Sequence, residues 1–211
     1  TLDPENGAKY INSPETPLYI KGRNLYGIHY AKEPARRSRK LILVEGNFDV
    51  IAMAQAGFAA TVAPMGTALT EEQVHLATRF CDTVTILFDG DAAGLKATHR
   101  ALVPLQSAEI EARVVRLPAG EDPDSFLRHY GAEAMRELLD ASRPLVQWAV
   151  ESACDEILSH PVEARGPSLA QLGELLKALR LEMARQHYLQ ESARRLAVEP
   201  GQLMQLLGLR L

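Results

Sequence analysis

Short apolar runs and amphipathic stretches alternate along the middle of the chain. The apolar runs have the length of buried strands, and the stretches between them carry apolar residues at helical spacing. The predicted strands cover residues 41–44, 59–63, 84–88 and 111–117, and the helices between them cover residues 48–56, 70–80 and 92–103. Strands that alternate with helices across short links predict right-handed βαβ crossovers and a parallel sheet flanked by helices.

The two ends of the chain follow different patterns. Prolines and glycines interrupt residues 1–40, leaving room for a strand at 18–20 and a helix at 24–32 that ends before Pro34. After Ser142 apolar residues recur only at helical spacing, in predicted helices at residues 144–158, 169–181, 183–197 and 203–207. We therefore predict an α/β fold in three parts, with an irregular N-terminal segment at 1–40, an α/β unit at 41–142 and a helical subdomain at 143–211.

Composition places the chain among globular proteins. Apolar residues make up 46% of its 211 residues, enough to bury a core. No apolar run is long enough to span a membrane, and the start shows no secretory signal pattern. The two cysteines are far apart and form no C-x-x-C motif, so we expect a reducing cytoplasm, no disulfide framework and no zinc site in this stretch. The chain begins with Thr1 in turn-rich sequence, which we interpret as the start of a piece of a longer protein.

Charge is distributed unevenly although the net charge is only −4. Residues 1–40 carry +4, residues 41–142 carry −8, and residues 143–211 are neutral. A basic arm beside an acidic centre is typical of a metal site flanked by a phosphate-binding surface, although ordinary surface scatter produces similar asymmetries.

The acidic centre holds a pair of aspartates directly after the third strand, Asp89-Gly90-Asp91. Residues i and i+2 of an extended chain point to the same side, so both carboxylates are expected to face one point. Two carboxylates about 4 Å apart repel by about 4 kcal/mol at an effective dielectric constant of 20, unless a cation or a shared proton intervenes. A turn after a strand uses the same residue types, so this motif alone leaves both interpretations open.

Other predicted strands also end in carboxylates. Glu45 follows the first strand, and Asp122 and Asp124 follow the fourth. Because ligands of open parallel sheets bind at the carboxyl ends of the strands, these groups are expected to meet at one edge. The second strand leads to Gly66-Thr67, a candidate phosphate cradle. Carboxylate ligands without thiolates or imidazoles favour Mg²⁺ or Mn²⁺.

These motifs resemble the Toprim fold shared by topoisomerases and primases, in the glutamate of Glu45-Gly46 and in Asp89-Gly90-Asp91. More specifically, the chain resembles bacterial DnaG-type primases over almost its whole length. The strings that carry this resemblance are KYINSPET at residues 9–16, KGRNLYG at 21–27, EGNFDV at 45–50 and GEDPD at 120–124. The chain departs from the family at Asn47-Phe48, where Tyr-Met is frequent, and at Ala92 and Leu95, where basic residues are frequent.

The resemblance implies a DNA-directed RNA polymerase that makes short RNA primers for replication. Residues 1–40 would then end an N-terminal polymerase subdomain, and 41–142 would be the Toprim catalytic subdomain. It implies catalytic roles for Glu45, Asp89 and Asp91, and metal binding by these three with Asp122 and Asp124. Nucleotide or template contacts are expected from Lys9, Asn12, Lys21, Arg23 and Asp49, although Asp49 also suits a first-turn helix charge.

The implied partners are single-stranded DNA, NTPs and an RNA–DNA hybrid. Zinc is expected only in an N-terminal domain outside this stretch, and the replicative helicase only through a C-terminal domain outside it. Whether this stretch is active alone is left open, because the other parts are expected to help hold the template.

Four alternatives remain at this point. A haloacid-dehalogenase-type phosphatase also has Asp-x-Asp after a strand, but usually with Thr or Val where this chain has Ala93. A receiver-like signalling domain would need a lysine at the end of a late strand, and a topoisomerase would need an active tyrosine that no motif marks. A non-catalytic Toprim module would bind nucleic acid or a partner without metal-dependent chemistry.

Overall fold

The structure is a computed structural model that describes residues 13–17, 19–65, 68–89, 92–108 and 110–209, without the side chains of 92–96. Its strands are β1 Leu25–Tyr26, β2 Lys40–Leu43, β3 Thr61–Pro64, β4 Thr83–Phe88, β5 Glu111–Arg116 and β6 Arg143–Pro144. Its α-helices are α1 Ile28–Ser38, α2 Asn47–Gln55, α3 Glu71–Thr78, α4 Ala92–Ser107, α5 Pro123–Asp140, α6 Leu145–Ser159, α7 Gly166–Ala178, α8 Glu182–Leu196 and α9 Pro200–Leu206. Short 3₁₀ turns lie at Lys21–Arg23 and Val162–Ala164.

The strands form one sheet in the order β1-β3-β2-β4-β5-β6. The four central strands are parallel, which confirms the predicted α/β fold. The outer strands β1 and β6 are antiparallel to their neighbours, and with two residues each they are too short to show a periodic pattern. The carboxyl ends of β2, β3, β4 and β5 therefore lie along one edge of the sheet.

Each face of the sheet carries its own core. The larger core packs residues of β2, β4 and β5 against α1, α3, α4 and the C-terminal helices, with Leu145, Leu172 and Leu203 fully buried. The smaller core lies on the opposite face and includes Met53 of α2, Leu87 of β4 and Met135 of α5. The larger core and strand β6 both join the C-terminal helices to the sheet. The boundary at 142/143 between the α/β unit and the helical subdomain therefore stays a prediction.

Two helices run through a proline where we predicted an end. Helix α1 passes Pro34 and stops at Ser38, and α4 passes Pro104 and stops at Ser107. A proline removes one backbone donor and usually breaks a helix. In α1 the burial of Ala31 and Ala35 against the core keeps the helix continuous beyond that point. Part of the predicted N-terminal helix is instead strand β1, and Gly27 turns the chain into α1 with a φ of 82°.

Helix α5 is the element that our sequence analysis missed, because its start was interpreted only as an acidic loop. Asp122 caps the helix by accepting a hydrogen bond from the backbone N–H of Ser125 at 2.6 Å, and Pro123 occupies the first turn. The helix is also interrupted at Gly131, whose φ of 81° and ψ of 175° are not helical. This break divides its apolar periodicity into two short pieces.

Candidate functional site

Glu45 and Asp89 meet at the carboxyl edge of the sheet. Strands β2 and β4 are neighbours in parallel register, with Leu43 opposite Ile86, so the residues that follow them leave the sheet side by side. The backbone N–H of Asp89 donates a hydrogen bond to the Glu45 carboxylate, with 3.1 Å between N and Oε1. Both residues are half-buried. The predicted pairing of these two site residues is therefore present in the fold, and their catalytic role stays a prediction.

Asp49 lies at the start of α2 and turns its carboxylate back toward this edge. Its Oδ2 accepts a hydrogen bond from the backbone N–H of Gly46 at 2.9 Å. A Cβ atom at position 46 would lie 2.9 Å from the same oxygen, so this close approach requires glycine.

The charge of Asp49 is sensitive to its surroundings. Burial, reinforced by the negative charges of Asp122, Glu45 and Asp124, raises its pKa to about 6 although the hydrogen bond from Gly46 lowers it. Asp49 therefore lies among the predicted metal ligands, and not only at a helix start. Asp49 lies near Asp122 and Asp124 because α2 packs against α5 on the same face of the sheet.

Asp122 and Asp124 lie in the first turn of α5. Oδ1 of Asp122 serves as the helix cap, and Asp124 forms an ion pair with Arg128 at 3.0 Å. Next to them, the Ser125 hydroxyl donates to Glu121, and His129 Nδ1 lies 3.0 Å from a Glu121 oxygen. The hydrogen bonds from Ser125 and His129 lower the pKa of Glu121. The capping bond thus fixes Asp122, whereas Asp124 has an exposed ion pair as its partner.

The carboxylates suit a hard divalent cation, but the described residues do not complete a ligand set. Within the described part of the chain, no three His, Cys, Asp or Glu side chains lie close enough to hold a metal ion. Asp91, the second aspartate of the predicted pair, lies outside the described residues. The fit rests on the donor chemistry and on the burial and neighbouring negative charges that raise the pKa of Asp49.

The predicted phosphate contacts are only partly described. Lys9, Asn12 and the Gly66-Thr67 cradle lie outside the described residues. Lys21 and Arg23 occupy a 3₁₀ turn that is fixed to the start of α3, because the Gln73 side chain donates to the carbonyl of Lys21 at 3.0 Å. This turn therefore lies at the carboxyl edge, where β3 leads into α3.

Arg100 is a candidate residue that our sequence analysis missed. A cavity of about 180 Å³, here called the carboxyl-edge cavity, adjoins Glu45 and is lined by Glu45, Pro64, Ala68, Leu69, Phe88, Ala97 and Arg100. The only sequence signal was the spacing of Lys96 and Arg100, which are one helical turn apart on α4. An exposed arginine next to a carboxylate site offers a planar donor group for a phosphate.

Comparison with known proteins agrees with this geometry. Residues 42–127 match a Toprim-like family model, and residues 1–32 match a model of the N-terminal domain of the DNA primase catalytic core. DNA primase from Aquifex aeolicus is 41% identical over 153 residues, which are 72% of this chain and 31% of that protein. DNA primase from Geobacillus stearothermophilus is 46% identical over 142 residues, which are 67% of this chain and 24% of that protein.

Solved structures show the same similarity over nearly the whole chain. A DNA primase domain from Pseudomonas aeruginosa superposes with a TM-score of 0.80 at 32% identity, over 97% of this chain and 65% of that one. A DnaG primase catalytic domain bound to single-stranded DNA gives a TM-score of 0.76 at 33% identity, over 94% of this chain and 64% of that one. The chain belongs to the DnaG-type primase family.

Membership in the DnaG family confirms the resemblance that the sequence motifs indicated. The Toprim-like match includes Glu45, Asp49, Asp89, Asp91, Asp122 and Asp124, and the N-terminal match includes Lys9, Asn12, Lys21 and Arg23. The phosphatase and receiver alternatives are not supported. The chain spans about a third or less of the length of these curated DnaG-type relatives. Among the described residues, no helix has the length and apolar character needed to cross a membrane.

Proposed function

We propose that this chain is the part of a DNA primase that carries its catalytic carboxylates. The whole enzyme would join ribonucleotides into short RNA primers on single-stranded DNA. The observation that supports this proposal most directly is the contact between Glu45 and the backbone of Asp89, which brings two acidic loops together at the carboxyl edge.

In the proposed reaction a primer 3′-hydroxyl attacks the α-phosphate of an NTP. A P–O bond forms and the hydroxyl proton passes to water. The bond between the α-phosphorus and the oxygen that bridges to the β-phosphate breaks, and pyrophosphate leaves with the electron pair of that bond. Glu45, Asp89, Asp91, Asp122 and Asp124 would hold Mg²⁺ or Mn²⁺, although their division between ions stays open. The ion, when bound, makes the hydroxyl more acidic and offsets the charge of the triphosphate.

The residues of this chain supply position and charge. The N–H of Asp89 fixes the Glu45 carboxylate, and the capping bond of Asp122 fixes the loop before α5. Asp49 sets the start of α2 through Gly46 and adds negative charge that draws a cation to the edge. Such preorganised charges provide much of the rate in phosphoryl transfer.

Basic residues around the carboxylates would bind phosphates of the NTP or template. Arg100 adjoins Glu45 in the carboxyl-edge cavity, and Lys21 and Arg23 lie on the turn beside α3. Lys9 and Asn12 are proposed from the sequence alone. Phosphate contacts position the nucleic acid rather than read its sequence, and they should weaken as salt rises. Replacing Arg100 with alanine should therefore raise the KM for NTP more than it lowers kcat.

The proposed partners are single-stranded DNA, NTPs and an RNA–DNA hybrid, with the replicative helicase engaged by another part of the enzyme. DNA binding is supported by the related catalytic domain that was solved with single-stranded DNA. A cytoplasmic location stays a prediction from the two distant, unpaired cysteines.

The test compares wild-type protein with Asp89→Ala and with Glu163→Ala, which removes an exposed carboxylate from the helical part. Calorimetry should show Mn²⁺ or Mg²⁺ binding that NTP strengthens, that Asp89→Ala loses and that Glu163→Ala retains. In the full-length enzyme, Asp89→Ala should abolish primer synthesis while circular dichroism shows an intact fold. Wild-type synthesis by Asp89→Ala would refute the proposal. DNA binding without any metal binding by the wild type would favour a non-catalytic Toprim module.

A further inference from the structure

A second cavity lies at the opposite edge of the sheet, where the parallel strands begin. It has a volume of about 480 Å³, which falls within the range of small-molecule sites. We call it the amino-edge cavity. Its walls come from the starts of β2, β4 and β5, the loop between α2 and β3, and the last turns of α1 and α5.

The cavity exists because one sheet face is only partly covered. Central strands of a parallel sheet are normally apolar on both faces. On the face packed by α2 and α5, the first half of β4 instead presents Thr83 and Thr85, and β5 presents Arg113 beside them. The smaller core begins beyond these residues, at Leu87 and Val115. Polar side chains on interior-facing positions therefore mark a space that the helices do not fill.

The charged groups in this space are mainly cations. Lys40, Arg113 and Arg136 line the cavity, and Asp140 is the acidic residue among the lining side chains. Lys40 is exposed, and its ammonium group forms no hydrogen bond or ion pair with any described residue. Arg136 pairs with Glu133 where both side chains are more than half exposed, so the pair is weak and a phosphate can compete for the arginine.

Arg113 is held in place more firmly. Its Nε donates to the Ser142 hydroxyl at 2.9 Å, another nitrogen donates to the Ser142 carbonyl, and a third contacts Glu111 at 3.2 Å. A guanidinium that is fixed in this way keeps its charge and orientation without a ligand, which lowers the entropy that binding would cost.

Apolar side chains form the rest of the wall. Ile42 of β2 and Leu139 of α5 line the cavity together with the half-buried ring of Phe58. Arg136 already lies 5.9 Å from the centre of that ring. Apolar and aromatic walls combined with a few convergent polar groups are typical of sites for small organic ligands.

We propose that the amino-edge cavity binds a nucleoside phosphate. Its phosphates would contact Lys40 and Arg136, and the fixed positive charge of Arg113 would attract them. Its base would pack against Phe58. This site is separate from the carboxylates, because it lies at the other end of the same strands and shares no lining residue with the carboxyl-edge cavity. It requires no metal-binding residue.

The probe is ADP, titrated calorimetrically into this chain in the presence of a chelator so that metal-dependent binding at the carboxyl edge is suppressed. The key variant is Lys40→Glu, which alters an exposed side chain and should fold normally. Lys40→Arg keeps the charge, and Lys177→Glu makes the same charge change at an exposed residue of α7. Amide NMR shifts locate the bound ADP.

Wild-type protein should bind ADP saturably, with shifts at Phe58, Thr85 and Arg113. Lys40→Glu should weaken binding at least about tenfold because it replaces attraction by repulsion, while Lys40→Arg and Lys177→Glu stay within about twofold of wild type. The proposal is overturned if ADP does not bind at millimolar concentration, if Lys40→Glu binds as well as wild type, or if the shifts lie around Glu45. Equal affinity for inorganic pyrophosphate would overturn the contact between base and Phe58.

Discussion

The two edges of one sheet carry opposite charge. At the carboxyl edge, burial of Asp49, together with the negative charges of Glu45 and Asp122, raises the pKa of Asp49 to about 6. At the amino edge, Lys40, Arg113 and Arg136 line a cavity with Asp140 as its acidic lining residue, and Glu111 and Glu133 pair with the two arginines. The same four parallel strands run between them. Strand direction thus separates the proposed cation-binding end from the proposed anion-binding end of one small sheet.

The two edges also obtain their functional groups differently. Carboxylates at the carboxyl edge come from the loops and helix starts that follow each strand, so their side chains are free to converge. Cations at the amino edge come from positions within strands and from the ends of helices. A change at Glu45 should therefore affect chemistry more than stability, whereas a change at Arg113 should also affect the packing of the sheet.

The largest effect is expected from Glu45→Gln, which keeps the shape and the hydrogen bond from Asp89 but removes the charge. Loss of one preorganised group of this kind costs about 100-fold or more in kcat, so primer synthesis by the full-length enzyme should fall by at least that factor. The midpoint of thermal unfolding should change little. Glu111→Gln, at the start of β5, serves as the matched control and should retain synthesis. Comparable losses of primer synthesis in both variants would show that the two edges do not differ in their catalytic role.

The next effect concerns Asp49 and depends on pH. Because its pKa is raised in the folded protein, rising pH removes a proton from the unfolded chain before the folded one. Stability should therefore fall between about pH 4 and pH 6, and this loss should persist at higher pH. Asp49→Asn removes the charge and keeps an oxygen that can accept from Gly46.

With a chelator present, Asp49→Asn should be more stable than wild type by roughly 2 kcal/mol at pH 8, and this advantage should disappear near pH 4. Urea unfolding at the two pH values measures the difference. Added Mg²⁺ should reduce this difference in stability at pH 8, because a bound cation offsets the repulsion between the carboxylates. A variant that is less stable than wild type at pH 8 would show that the acidic cluster does not strain the fold.

At the amino edge the comparable change is Arg113→Ala. It removes the bonds to Ser142 that hold the loop before β6, and bonds to a charged group are worth about 1.5 kcal/mol or more, so the free energy of unfolding should fall by that amount. Arg116→Ala, on the same strand but exposed, should stay within about 0.5 kcal/mol of wild type. Equal stability of the two variants would mean that Arg113 is held for a ligand and not for the sheet.

Sequence reasoning predicted the carboxyl edge better than the amino edge, for a physical reason. Parallel strands end at one edge by geometry, so the order of strands and helices was enough to predict that Glu45 and Asp89 share an edge, and the pairing of β2 with β4 makes them neighbours. The position of Arg100 depends on the rotation of α4 about its axis, which the sequence did not fix. Ligand roles for Asp91, Asp122 and Asp124 stay predictions.

The amino-edge cavity was beyond prediction because it depends on α5, which the sequence analysis missed. The segment Asp122-Pro123-Asp124-Ser125 carries a helix-start signal as well as acidic ligands, and we gave weight only to the second. Because α5 was not predicted, the position of Arg136 and the uncovered half of β4 could not be predicted either. One local sequence thus served two roles, and the functional interpretation obscured the structural one.

The last prediction tests whether the amino edge opens. Cys81 lies just before β4 and is 1% exposed, and burial together with the charge of Asp82 raises the pKa of its thiol to about 11. Since the thiolate is the reactive form, iodoacetamide at pH 8 should label native Cys81 about 100-fold more slowly than the denatured chain, as measured by mass spectrometry. Cys154, fully buried in α6, provides the internal reference. If Cys81 reacted quickly while Cys154 stayed protected, the start of β4 would open independently of the core, and the amino-edge cavity could not keep its cations in fixed positions.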